Sequence, residues 1–423
     1  MGKKKPARLS GNTVSGFATL LASLECIVLG LVVGYIALLI LGAITAAQGG
    51  SAMTFGELLK TTWEKGFKAI LQGGFFKTAN TLGMGVRMEI IQAAPLIMTG
   101  LSVAFAFKTG LFNIGAAGQY TVGAFFALYS AIVLKMPWWA CLIASMLGGA
   151  LWGAIPGIFK AYLNVNEVIT SIMFNWIGLY AVNTLIYQGG TGVMYNTNTT
   201  KTHVLKQVSP GSVLPTFNIP TGEGKTYFGP MFAPTIGIFI AIAVAVLVWV
   251  VVNKTVFGYE LRACGLNKNA AEYAGIADKR NIVLSMAIAG ALSGAAASLY
   301  YLSGNTEFFW STYQTLPATG FNGIPVALLA VSNPIGVIFT GCFMSMLDIV
   351  GLQLTNLTAY NEYITDVIIA IIVYLSAFSL VIKMFISGQR KRRSKAALPA
   401  AEAAAKPPEG GGGAEVEKGG ESA

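Results

Sequence analysis

Long apolar stretches alternate with short polar breaks along this chain. Ten such stretches lie near 26–46, 86–107, 111–134, 137–159, 167–187, 231–252, 281–303, 317–331, 334–351 and 364–386. None shows the period-two alternation of a barrel strand. They predict helices, and about 20 residues rising 1.5 Å each cross a hydrocarbon core. Glycine and proline interrupt the eighth and ninth, where eight or nine spans with re-entrant pieces are the alternative. The reading is an all-α polytopic membrane protein of about ten transmembrane helices. Five plus five helices fit an inverted repeat, as in many transporters. Glycine-interrupted segments at Leu111–Gly123 and Gly320–Gly341 give that repeat faint support.

The most informative polar break is Gly258–Ile276, GYELRACGLNKNAAEYAGI. It separates the chargeless runs Met231–Val252 and Asn281–Ser303. Its second half predicts a short helix with Asn267 as N-cap and Gly275 as the stop. Ala270, Ala271 and Ala274 then form a small flat face, and Gly265 permits close backbone approach. Such a helix held between two spans suits docking into a groove on a soluble partner. An ordinary basic inner loop is the plainer alternative.

Between the first two spans, residues 54–71 place Phe55, Leu58, Leu59, Thr62, Trp63, Phe67, Ile70 and Leu71 at helical spacing, with charged residues opposite. This predicts an interfacial amphipathic helix on the outer side. Its lysines, with Lys77, oppose the positive-inside rule. The outer loop 188–230 contains Gly222–Thr226, GEGKT, but Ile219 stands where a phosphate-binding loop needs its first glycine.

Composition supports the membrane class: 54% of residues are hydrophobic and 11% charged, against about 25% charged in soluble domains. The net charge of +10 gathers at the two ends, in Lys3–Arg8 and Arg390–Lys395. Lys108, Lys160 and the Lys254–Arg280 segment fall on the same side as those ends if the span count is even. Both termini are then cytoplasmic, touching membrane lipid rather than nucleic acid. The expected organisation is a basic segment 1–25, a permease domain 26–386 with a cytoplasmic segment 253–280, and a low-complexity disordered tail 387–423. The first apolar run is too long for a cleavable signal. Cys26, Cys141, Cys264, Cys342 and His203 lie too far apart for metal-ligand spacing.

Polar residues inside apolar runs are costly unless paired, so they mark helix contacts or a solute path. Asn113 and Gln119 share the glycine-rich LFNIGAAGQYTVGA, a candidate broken helix lining a cavity. Asn175 with Trp176, and Phe321 with Asn322, are further candidates for the path. Asp348, Gln353 and Asp366 lie near the last two spans. Interhelical hydrogen bonding is the competing account of each Asn and Gln. Arg87, Glu89 and Glu25 read as interfacial anchors. No catalytic constellation is evident.

LRACGLNKNAAEYAGI closely resembles the coupling segment of permeases from ABC importers of the branched-chain amino acid, ribose and nucleoside group. GLFNIGAAGQYTVGA resembles that group's second signature. AAPLIMTGLSVAFAFKTG, NEVITSIMFNWI and GFNGIPVALLAVSNPIG also fit, in order, over roughly residues 90 to 340. FKTGLFNIGAAGQ looks most like the nucleoside-import branch, whose receptors are lipoproteins. The resemblance implies a second permease, homologous or identical, two cytoplasmic ABC ATPase subunits that bind ATP and Mg, and an extracytoplasmic solute-binding lipoprotein. No cofactor is expected on this chain, which would not itself be an enzyme. The implied ATPase contact is Arg262, Gly265, Asn267, Ala270, Ala271, Glu272 and Gly275. Its movement is expected to reach the path through the sixth and seventh spans. Cys264, Asn322 and Pro325 depart from the family pattern, the last two in an expected pore segment. Sugar or branched-chain amino acid import by the same machinery, a stand-alone secondary carrier and an intramembrane enzyme are the alternatives.

Overall fold

A computed structural model describes residues 28–44 (29 and 41 excepted), 54–68, 84–188, 193–222 (197 excepted), 225–226, 233–309, 315–357 and 363–376. All belong to one compact unit, Ser23–Ala377. The basic segment 1–25, Cys26, Ile70, Leu71, Lys77, the tail 387–423 and the Gln353 side chain lie outside the described residues.

A helix occupies the core of each of the ten apolar stretches. They are α1 (Gly30–Ile44), α3 (Met84–Lys108), α4 (Ala116–Ile132), α5 (Trp138–Leu163), α6 (Glu167–Asn183), α7 (Gly237–Lys254), α10 (Asp278–Tyr301), α11 (Ala318–Leu329), α12 (Pro334–Leu357) and α13 (Tyr363–Ser376). Among the described residues, five segments, centred on α3, α5, α6, α7 and α10, are long and apolar enough to cross a membrane. Two departures from expectation bear on function. The third stretch turns helical only at Ala116, leaving Thr109–Gly115 irregular. At 12 residues, α11 spans about 18 Å, too short to cross a bilayer by itself.

Helices α3 and α10 form the centre, with 78% and 72% of their apolar windows buried. Around them α5 and α7 bury only 33% and 28%, and leave apolar faces outward. Packing runs in matched pairs: α10 lies on α4 and α5 as α3 lies on α11 and α12, and α6 and α13 flank the two sets. Lipid tails are as apolar as leucine, so helices here cohere by close approach. At α5–α10, a Cβ added to Gly149 would collide with the Gly290 carbonyl, and one added to Gly290 with the Gly149 carbonyl. Ser145 Oγ ties the seam: it donates to Gly294 O (2.5 Å) and shares the same proton with Gly123 O (2.9 Å).

Chain connections gather at two ends. At one, Lys279 Nζ sits 5.7 Å from the centroid of the Tyr162 ring. Lys160 pairs with Glu167 at 2.9 Å. At the other, residues 193–217 form an ordered cap. Ser212 Oγ donates to Met136 O (2.5 Å), Tyr187 OH to Thr200 O (3.0 Å), Leu214 N to Leu302 O (2.8 Å) and Thr202 N to Phe308 O (3.0 Å). Within the outer loop, Pro220–Gly222 pairs antiparallel with Lys225–Thr226. Gly222, Lys225 and Thr226 of GEGKT therefore lie in paired strands.

The amphipathic segment forms α2 (Phe55–Thr61), continued by a wide turn Thr62–Phe67. Its start is fixed by Thr54, whose N–H (3.0 Å) and Oγ1 (2.8 Å) donate to Glu57. Tyr35 of α1 meets Trp63 and Phe67 at centroid distances of 5.9 and 5.2 Å. The helix is thus docked on α1 through three aromatic rings, while Phe55 remains exposed.

Gly290→Val should force α5 and α10 apart and destabilise the protein by about 1–3 kcal/mol, the usual cost of overpacking. Thermal unfolding in detergent measures this. An unchanged midpoint would contradict the backbone contact.

Candidate functional site

The polar break between α7 and α10 folds as two helices, α8 (Val256–Leu266) and α9 (Lys268–Tyr273). Thr255 caps α8, its Oγ1 accepting Gly258 N–H at 3.0 Å. Asn267 caps α9, its Oδ1 accepting Ala270 N–H at 3.1 Å. Gly275 ends α9 at φ +80°. Its N–H reaches Glu272 O (2.9 Å) while that of Ile276 reaches Ala271 O (3.0 Å), a Schellman stop. An ion pair of 3.3 Å between Lys268 and Asp278 closes α9 onto the start of α10.

This geometry divides the residues expected to form one surface. Ala270, Glu272, Ala274 and Gly275 are exposed, as is the Asn267 cap. Ala271 is buried at 3% exposure and belongs to the inner face of α9, correcting its assignment to the docking face. Arg262 is half-buried and its Nε donates to Gly258 O at 3.3 Å. Gly265 packs its backbone on the α3–α4 turn: a Cβ there would lie 2.6 Å from the Thr109 carbonyl carbon. A side chain is thus excluded from Gly265 by the protein itself. Two residues the sequence reading passed over dominate the outer face. Leu266 is 89% and Tyr273 94% exposed. Their signal was an apolar side chain within two residues of each end of a capped polar helix. Cys264 lies inward, where burial pushes its thiol pKa up, while a hydrogen bond from Asn281 opposes the shift.

The expected path residues fall into two groups. Asn113 and Gln119 are buried at 0% and 1% exposure. They pair reciprocally, Asn113 Nδ2 donating to Gln119 Oε1 (2.9 Å) and Gln119 Nε2 to Asn113 Oδ1 (3.0 Å). Asn113 Nδ2 also reaches Ser102 Oγ (3.2 Å), which accepts from Ser293 Oγ (3.0 Å) and donates to Ala289 O (2.6 Å). Asn175 Oδ1 accepts Gly118 N–H (2.8 Å) and its Nδ2 donates to Ile114 O (3.0 Å). Asn175 therefore satisfies backbone groups freed by the break before α4, as membrane burial requires. In this structure the side-chain amides of all three are paired within the bundle. Trp176, Phe321 and Asn322 form the other group. Trp176 is exposed on α6 and stacks on Tyr180 at 6.1 Å. Phe321 and Asn322 are half-buried near the start of α11.

A capped two-helix segment at one end of a helical bundle with five membrane-length apolar helices among the described residues defines a polytopic membrane protein. The chain belongs to the family described as "Branched-chain amino acid transport system / permease component", matched over residues 87–377. It is 33% identical to the guanosine ABC transporter permease protein NupP of Bacillus subtilis (strain 168), over 90% of this chain and 99% of that one. The nucleoside ABC transporter permease protein NupB of Lactococcus lactis subsp. cremoris (strain MG1363) is 35% identical, over 69% of this chain and 79% of its own. The glucose ABC transporter permease protein TsgB13 of Haloferax volcanii is 29% identical, over 71% and 78%. No solved structure matches the chain. It is a multi-pass membrane protein of the permease class.

Asn113→Leu should cost about 1–3 kcal/mol by stranding the Gln119 amide. Asn113→Leu with Gln119→Leu should cost less than the two single changes summed, as measured by a double-mutant cycle of thermal stability. Strict additivity would contradict the reciprocal pair.

Proposed function

We propose that this chain is the membrane-spanning permease of an ATP-driven importer whose cargo is nucleosides. The observation that carries this reading is the similarity to a guanosine permease across 99% of that protein. ATP and Mg are bound by separate ABC ATPase subunits, and this chain binds no cofactor. The ATPase docks on α8–α9, with Leu266 and Tyr273 as apolar anchors and Arg262, Asn267, Ala270, Glu272 and Gly275 around them. Apolar and aromatic anchors of this kind dominate interface energies.

Sidedness follows from charge. Lys108, Lys160, Lys254, Lys268, Lys279 and Arg280 lie at the end that carries α8 and α9, which is therefore cytoplasmic. With an even number of crossings, in which the short α11 crosses only together with its neighbouring residues, both termini lie on that side of a prokaryotic plasma membrane. The ordered cap of residues 193–217 then faces outward, where a solute-binding lipoprotein delivers cargo. A second permease, identical or homologous, completes the path. Trp176 and Tyr180 on α6 and Phe321 and Asn322 on α11 are the side chains assigned to it. The matched packing of α3 with α11 and α12, and of α10 with α4 and α5, supports the inverted repeat. A sugar cargo is the second reading, because one relative is a glucose permease.

Co-expression with the ATPase and binding protein, then uptake into vesicles, tests the reading. Labelled guanosine should accumulate only with ATP and be competed by other nucleosides, not by glucose or leucine. Competition by glucose would favour the second reading. Uptake driven by an ion gradient without an ATPase would sink both.

Leu266→Ser with Tyr273→Ala should leave the permease in the membrane but weaken co-purification of the ATPase by tenfold or more, at about 1–2 kcal/mol per anchor. Undiminished co-purification would remove these anchors.

A further inference from the structure

We infer that movement of α8–α9 reaches the interior of the bundle through the contact of Gly265 with Gly110, and is held in check by the Asn113–Gln119 amide pair. The inference rests on the coupling role proposed above and adds a route that bypasses the spans flanking the coupling segment.

The route begins where two backbones touch. A Cβ on Gly110 would lie 2.6 Å from Gly265 Cα, and one on Gly265 2.7 Å from Gly110 N. No side chain intervenes, so a shift of α8 cannot be absorbed by a change of rotamer. Gly110 holds φ +75°, a conformation that glycine adopts without strain. Its neighbour Thr109 is anchored by hydrogen bonds to Ala106 O (2.8 Å) and to Ser285 Oγ of α10. The turn is therefore clasped between α8, the end of α3 and the start of α10.

Beyond Gly110 the chain runs irregularly to Gly115 and then enters α4. The Asn113–Gln119 pair bridges this break, and Asn175 of α6 holds both its sides through Ile114 O and Gly118 N. In the first turn of α4, Ala117 meets α11: a Cβ on Gly320 would lie 2.5 Å from Ala117 Cα. The first turns of two short helices thus cross at the far end of a connected set of contacts. Ser171 Oγ of α6 is fully buried beside Gly115 and has no hydrogen-bond partner. A buried hydroxyl without a partner calls for an explanation, and the relay supplies one: a second arrangement of the break in which this hydroxyl is paired. A coupling element needs two discrete arrangements, of which the Asn113–Gln119 pairing is one.

The test uses the complete complex in proteoliposomes, with nucleoside uptake and ATP hydrolysis measured together. Gly110→Ala displaces α8 from the turn. It should leave the ATPase bound and hydrolysing, with solute moved per ATP lowered about tenfold, a typical coupling factor. The double variant Asn113→Leu/Gln119→Leu should lower the same ratio, and the exchange Asn113→Gln/Gln119→Asn, which rebuilds an amide pair, should restore it. A merely structural role would reduce the amount of complex and leave the ratio alone. An unaltered ratio in either Gly110→Ala or the Leu/Leu variant overturns the relay, and the Leu/Leu variant decides if Gly110→Ala does not assemble. Absence of ATP-driven uptake in the unaltered complex would instead defeat the underlying function.

Discussion

Water does not press helices together inside a bilayer, so the bundle coheres only where backbones come close enough for dense packing and mutual hydrogen bonding. Helix α10 is where this happens. Gly290 and Gly294 meet Gly149 and Ser145 of α5, Gly294 also meets Gly123 of α4, and Ser102 of α3 donates to Ala289. Three neighbours are thereby fixed against one helix, and every other span is arranged around that set. Bulk at these glycines would cost more than local strain, because it would separate helices that α10 holds together.

The same dry surroundings dictate how the break before α4 is built. Thr109–Gly115 removes backbone groups from any helix, and hydrocarbon offers no substitute partners. Asn175 supplies them from α6, while Asn113 and Gln119 satisfy each other. A broken helix is therefore possible here because three amides were placed where main-chain ladders stop. The consequence is a segment that is irregular yet tightly specified.

Much of the architecture was legible in the sequence. Each long apolar stretch became a helix, and the Asn267 cap and Gly275 stop are local chemistry, set within one turn of the chain. The broken start of the third stretch was visible in its glycines. What could not be read was which partner a buried amide would choose. Asn113 and Gln119 are six residues apart and could equally have faced a cavity; only the fold of 109–119 turns them toward each other. Ala271 was misplaced for a similar reason. Alanine is neutral enough to sit on either face of a short helix, and its inward orientation depends on how α9 leans on α10. Gly265 carried the right signal, close approach, but the approaching group is the protein's own Gly110. Leu266 and Tyr273 were overlooked because isolated apolar residues in polar segments are ordinarily unremarkable.

Those two side chains also bear on how the protein is made. Without a partner over them, Leu266 at the end of α8 and Tyr273 at the end of α9 stand almost fully exposed. Until they are covered, the surface is a liability for non-specific association and for recognition by quality control. On the docking role proposed above, covering these two side chains would make assembly itself protective, so the unassembled chain would be the more vulnerable form.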